Sequence, residues 1–125
     1  MKALLLAAAI AVPMLAHHSF DAEYDRTKSI VLKGVVTKVE WTNPHARFYM
    51  EVKGDDGKVI NWNLEMGSPN SLTRAGWKRD ALKVGDEVTV NASLAKDGSK
   101  MANARNITLK DGKRVLSGAS SADGN

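Results

Sequence analysis

The stretch GSPNSLTRAGW, residues 67–77, breaks a chain that otherwise alternates between apolar and polar residues. Ser68 is placed as a helix N-cap, with a hydroxyl to accept a hydrogen bond from a free first-turn N–H. Pro69 follows at the first helical position, where no N–H is needed. Gly76 suits the left-handed conformation just past a helix end. The stretch predicts a helix of about two turns. Working outward from it, both flanks read as strands. SIVLKGVVTKVEW (29–41) is rich in Val and Ile, with Gly34 at its middle, where a long strand bulges or bends. TNPH (42–45) is a turn. ARFYMEVK (46–53) places Phe48, Met50 and Val52 on one face and Arg47, Tyr49, Glu51 and Lys53 on the other. GDDG (54–57) is a hairpin turn, and KVINWNLEM (58–66) sets Trp62 and Leu64 against Asn61, Asn63 and Glu65. Beyond the helix, LKVGDEVTVNASL (82–94) is a turn and a strand, KDGS (96–99) a turn, KMANARNITL (100–109) a strand, and KDGKRVL (110–116) a short extension.

Three strands, one short helix and two strands, with the first strand long and bent at glycine, is the layout of an OB-fold. That is an all-β, five-stranded antiparallel barrel with a helix between strands three and four. Each strand has one apolar face, and closing the sheet buries all of those faces together. An open antiparallel sandwich is the alternative. The barrel domain spans 29–116. The tail SGASSADGN (117–125) is small and polar and is expected to be disordered.

The first 16 residues, MKALLLAAAIAVPMLA, have the charged start, apolar run and small-residue end of a secretory signal peptide. The run is shorter than the roughly 20 apolar residues that span a bilayer. Cleavage after Ala16 predicts a periplasmic or secreted chain beginning His17-His18-Ser19-Phe20, with 17–28 as an N-terminal segment ahead of the barrel. An uncut, loosely anchored N-terminus is the alternative, because Met14 stands where signal peptidase favours a small residue. The 18 Lys and Arg against 14 Asp and Glu give a formal net charge of +4. The two signs are interleaved, which predicts a mixed solvated surface rather than a nucleic-acid arm. No cysteine is present, which removes disulfides, thiolate metal ligation and thiol nucleophiles.

HHSFDAEYD, LKGVVTKVEWTNPH, EMGSPNSLTRAGW, LKVGDEVTV and DGSKMANARNITLKDG together resemble small exported bacterial proteins of the domain-of-unknown-function family 6152. The resemblance covers almost the whole mature chain. It implies export to a Gram-negative periplasm and brings no catalytic residues with it.

The sharpest candidate chemistry lies in the histidines, of which the chain has 3. A free N-terminal His17 offers its α-amine and Nδ1 as a chelate, and a second imidazole from His45 completes three nitrogens around copper, a tetragonal set that copper(II) favours. His18 is an alternative or supplementary ligand. Asp21, Glu23 and Asp25 are candidate oxygen ligands or acceptors behind the imidazoles. Phe20 and Tyr24 are candidates to pin the 17–28 segment by packing. Glu65 and Met66 end the third strand on what is expected to be the same face. Zinc is the competing metal. The bland alternative is two idle terminal histidines and a His45 that serves only its turn.

Three weaker candidates remain. Ser68, Asn70, Ser71 and Arg74 are a candidate anion pocket at the helix start. Against it, Ser68 is the cap, and Leu72 and Trp77 read as core. Trp41, Arg47 and Tyr49 form a candidate face for an envelope protein or a small planar ligand, with no metal. Single-stranded nucleic acid is set aside, because the aromatics are few and export argues against it. Hydrolysis is poorly supported. Glu40, Glu51 and Glu65 lie on separate strands as expected solvent-facing carboxylates, and no oxyanion hole or phosphate loop is marked. The reading is therefore a binding module rather than an enzyme, a monomer or weak dimer with no membrane span in its mature form.

Overall fold

A computed structural model describes residues 20–115. After helical residues 20–23, six strands and a further short helix follow in order: β1 (Tyr24–Glu40), β2 (Arg47–Lys53), β3 (Val59–Glu65), α1 (Pro69–Arg74), β4 (Glu87–Ala95), β5 (Met101–Leu109) and β6 (Arg114–Val115). The sheet runs β3-β2-β1-β4-β5-β6, and β3 also pairs with β5. Strands β1, β2, β3, β5 and β4 thus close into a ring with the strand order of an OB-fold, and β6 hangs outside it on β5. The closing β3–β5 pair is parallel, Asn63 to Met101 through Glu65 to Asn103. The other pairs are antiparallel, so the ring is not antiparallel throughout.

The long first strand serves two neighbours. Up to Val35 it pairs with β4, and from Val35 onward with β2. Gly34 sits at this handover. A Cβ there would collide with the Glu51 carbonyl of β2, so the glycine is required by close backbone approach. The register irregularity with β2 falls just beyond it, between Val36 and Lys38. The strand starts at Tyr24 rather than at Ser29. Tyr24 pairs with Ala95, and the ladder then slips until Ser29 meets Ser93.

The alternating faces meet inside the ring. Phe48, Met50, Leu64, Val90 and Ile107 are fully buried there. Leu72 of α1 and Trp77 just beyond it join the same core. Ser68 caps α1 by accepting from the Ser71 N–H at 3.2 Å, and Gly76 follows with φ +98°. Among the described residues, no helix is long and apolar enough to cross a membrane.

Candidate functional site

A second, smaller apolar cluster lies outside the ring. Residues 20–23 are helical and lead straight into β1. Phe20 and Tyr24 are both buried and pack with Ala95 at the end of β4. Their rings are 5.5 Å apart, and the Arg26 guanidinium lies 4.4 Å over the Phe20 ring. Arg26 also pairs with Asp21 at 2.9 Å, and Lys96 donates to the Asp21 carbonyl. The segment that leads into β1 is thereby tied down across the turn between β4 and β5.

Beneath this cover runs a row of polar residues set by strand register. Arg47 on β2 pairs with Glu65 on β3, Glu65 with Asn103 on β5, and Asn103 with Ser93 on β4. Their neighbours Leu64, Ala102 and Ala92 belong to the core, so the row occupies the outward face of the ring. Glu65, Asn103 and Ser93 are nonetheless buried. The alternation that predicted a solvent-facing Glu65 assigned the correct face, but Tyr24 and the chain before it cover that face. Only 4% of Glu65 is exposed.

Glu65 is the hub. Its Oε2 accepts from the Tyr24 hydroxyl at 2.7 Å and from Arg47 Nη2 at 2.8 Å. Its Oε1 lies 3.3 Å from His45 Nδ1. Arg47 also donates to Asn63 Oδ1 at 3.2 Å. A buried carboxylate needs both charge compensation and hydrogen bonds, and Arg47 and Tyr24 supply them. Burial, then the Glu65 hydrogen bond and charge, push the Tyr24 phenol well above the ordinary tyrosine range and hold it neutral. His45 is half-buried at the end of the 42–45 turn, which contains a cis Asn43–Pro44 peptide. Asn103 Nδ2 and Ser93 Oγ are buried without hydrogen-bond partners among the described residues.

Among the sequence candidates, the structure gathers His45, Arg47 and Glu65 on one cluster. Tyr24 was singled out for packing alone, and its hydroxyl proves to be the fourth member. His17 and His18 lie outside the described residues, as do residues 1–16, expected to be a signal peptide, and the tail expected at 117–125. Among the described residues, no three His, Cys, Asp or Glu side chains converge as a metal cage.

The other candidates sit in different settings. Trp41 stacks toward Trp77, with ring centroids 6.5 Å apart, and packs on the core. Tyr49 belongs to a surface trio instead. Lys38 lies 5.4 Å over its ring, and Lys38 pairs with Glu40 at 2.7 Å. That contact raises the lysine pKa and lowers that of the glutamate. Ser68 Oγ is occupied with Ser71, by its backbone N–H and its hydroxyl. Asn70 and Arg74 stand exposed, and neither hydrogen-bonds to the cap.

No curated protein and no solved structure matches the chain. A family pattern does, over residues 5–104, which takes in the Phe20–Tyr24 cover, the Glu65 hub and the Asn103 seam. By that match the chain belongs to the family of unknown function DUF6152.

Proposed function

We propose that this is an exported metal-binding protein that holds one copper ion between its processed N-terminus and His45. The observation that carries the reading is the contact of His45 Nδ1 with the buried Glu65 carboxylate at 3.3 Å. Metal-ligating histidines are commonly held in this way, one nitrogen turned to a carboxylate and the other left for the ion. The same carboxylate receives the Tyr24 hydroxyl, so the described residue nearest the N-terminal segment in this cluster is docked onto the group that contacts His45. Two peptide units separate His18 from Phe20, which places their Cα atoms within about 8 Å of each other. Under this reading Glu65 and Tyr24 are positioning residues, and His17, with its α-amine, and His45 are the ligands. The protein is then a copper carrier or chaperone of the envelope.

The test is native mass spectrometry of the chain exported by a bacterial host, with one equivalent of copper(II) and a competing chelator. The expected result is a chain that starts at His17 and retains one copper. One alanine added ahead of His17 is expected to release it, as is His45→Ala. Glu65→Gln is expected to weaken binding by roughly 10–100-fold while leaving the ligands in place. Copper affinity that survives both the extension and His45→Ala overturns the proposal. Tighter retention of zinc than of copper overturns the choice of metal.

A further inference from the structure

A cavity of about 480 Å³ opens where the 76–86 connection between α1 and β4 meets the β5–β6 hairpin. None of its lining residues belongs to the Glu65 cluster. Its floor is apolar, formed by Trp77, Leu109 and Val115 with Ala81 beside them. Trp77 and Val115 are buried, and the Trp77 indole N–H, itself buried, has no hydrogen-bond partner among the described residues. Around this floor stand Lys78, Lys83, Lys113 and Arg114. None of the four side chains enters an ion pair among the described residues. The opposing charges are Asp80 and Asp86, and an Asp86 oxygen is occupied by the Lys83 backbone N–H at 2.8 Å. Much of one wall comes from β6, which lies outside the five-strand ring and beyond the residues that the family pattern matches.

We infer that this cavity is a binding site for a small organic anion, an apolar body carrying one acidic head group. The volume falls within the range of about 300–1,000 Å³ usual for small-ligand sites. An inorganic anion has no use for the indole and aliphatic floor, and a neutral apolar ligand makes no use of the excess of cations, Lys78, Lys83, Lys113 and Arg114 against Asp80 and Asp86. The combination selects a molecule with both parts. The apolar body lies on Trp77, Leu109 and Val115. The head group faces Lys83, Lys113 and Arg114, where charge-assisted hydrogen bonds are stronger than neutral ones. This site does not depend on the copper reading.

The experiment follows the assigned Trp77 indole N–H resonance of the full chain by NMR during titration with octanoate, octanol and inorganic phosphate in parallel. Octanoate is expected to shift that resonance saturably, and octanol and phosphate to do so far more weakly. The double variant Lys83→Gln/Arg114→Gln changes two exposed side chains that make no ion pair among the described residues. It is expected to weaken octanoate binding by about tenfold or more. An octanol response equal to that of octanoate overturns the role of charge. A phosphate response equal to that of octanoate overturns the organic ligand class. An unmoved indole resonance, or a double variant that binds octanoate as tightly as the natural chain, overturns the site.

Discussion

A single carboxylate illustrates what periodicity can and cannot say. On β3 the alternation of Trp62 and Leu64 with Asn63 and Glu65 is plain, and it assigns Glu65 to the outward face. What buries Glu65 is Tyr24, 41 positions away in sequence, and no local pattern carries that information. Tyr24 was legible as an apolar anchor but not as a hydrogen-bond donor, because its partner arrives only through the fold. Removing the hydroxyl with Tyr24→Phe is expected to cost about 1 kcal/mol in urea unfolding. Glu65→Gln, which leaves Arg47 without its counter-charge in a partly buried site, is expected to cost about 2 kcal/mol or more. The pH dependence has a definite sign. The Tyr24 phenol is raised above its unfolded value, so its contribution to stability is fully present through neutral pH. It is lost as pH rises beyond about 10, where the unfolded chain gives up the proton first. Tyr24→Phe should lack that part of the alkaline fall, and denaturant midpoints of the two proteins across the alkaline range would show it. Parallel curves would show that the phenol does not contribute.

Among the elements, the strands and the helix were legible because their signals are local. Apolar alternation marked β2 and β3, glycine-containing turns marked the hairpins, and Ser68-Pro69 marked α1. The early start of β1 was not legible. Its residues 24–28 are polar apart from Tyr24 and make no continuous ladder, since the register slips between Tyr24 and Ser29. Gly34 was read as a bend or bulge, and the structure gives it a different necessity. The β2 backbone at Glu51 passes where a Cβ would stand. Gly34→Ala is therefore expected to destabilise the protein by at least about 2 kcal/mol, as overpacking against immobile backbone does. Thermal and urea unfolding both report it, and a cost below half of that would mean the two strands part easily. Ser68→Ala removes the one side-chain cap of α1 and is expected to cost about 1 kcal/mol.

Taken whole, the molecule is a ring with a lid fastened to its outside. The ring core is continuous, whereas the cover rests on Phe20, Tyr24 and Ala95. Small satellite clusters open at lower free energy than a core. Hydrogen exchange should therefore find the amides of 20–24 less protected than those of β2 and β4, and Phe20→Ala should release the cover without unfolding the ring. Equal protection across both would contradict this division. The ring order could be read from the sequence as an analogy of layout, but the parallel β3–β5 closure could not, because no periodic signal distinguishes which strand ends will meet. That closure also bears on timing. Residues 63 and 101 must find each other before the seam at Glu65 and Asn103 shuts, Tyr24 must reach Ala95 across a still longer stretch, and pairings so far apart along the chain form slowly. Under the proposed function, the β2–β3 pairing sets Glu65 beside His45, and the Tyr24 contact that docks residues 20–24 on that carboxylate arrives only with the long-range pairing. A newly exported, still unfolded chain would then have histidines but no oriented site, and capture of the ion would wait until folding is complete.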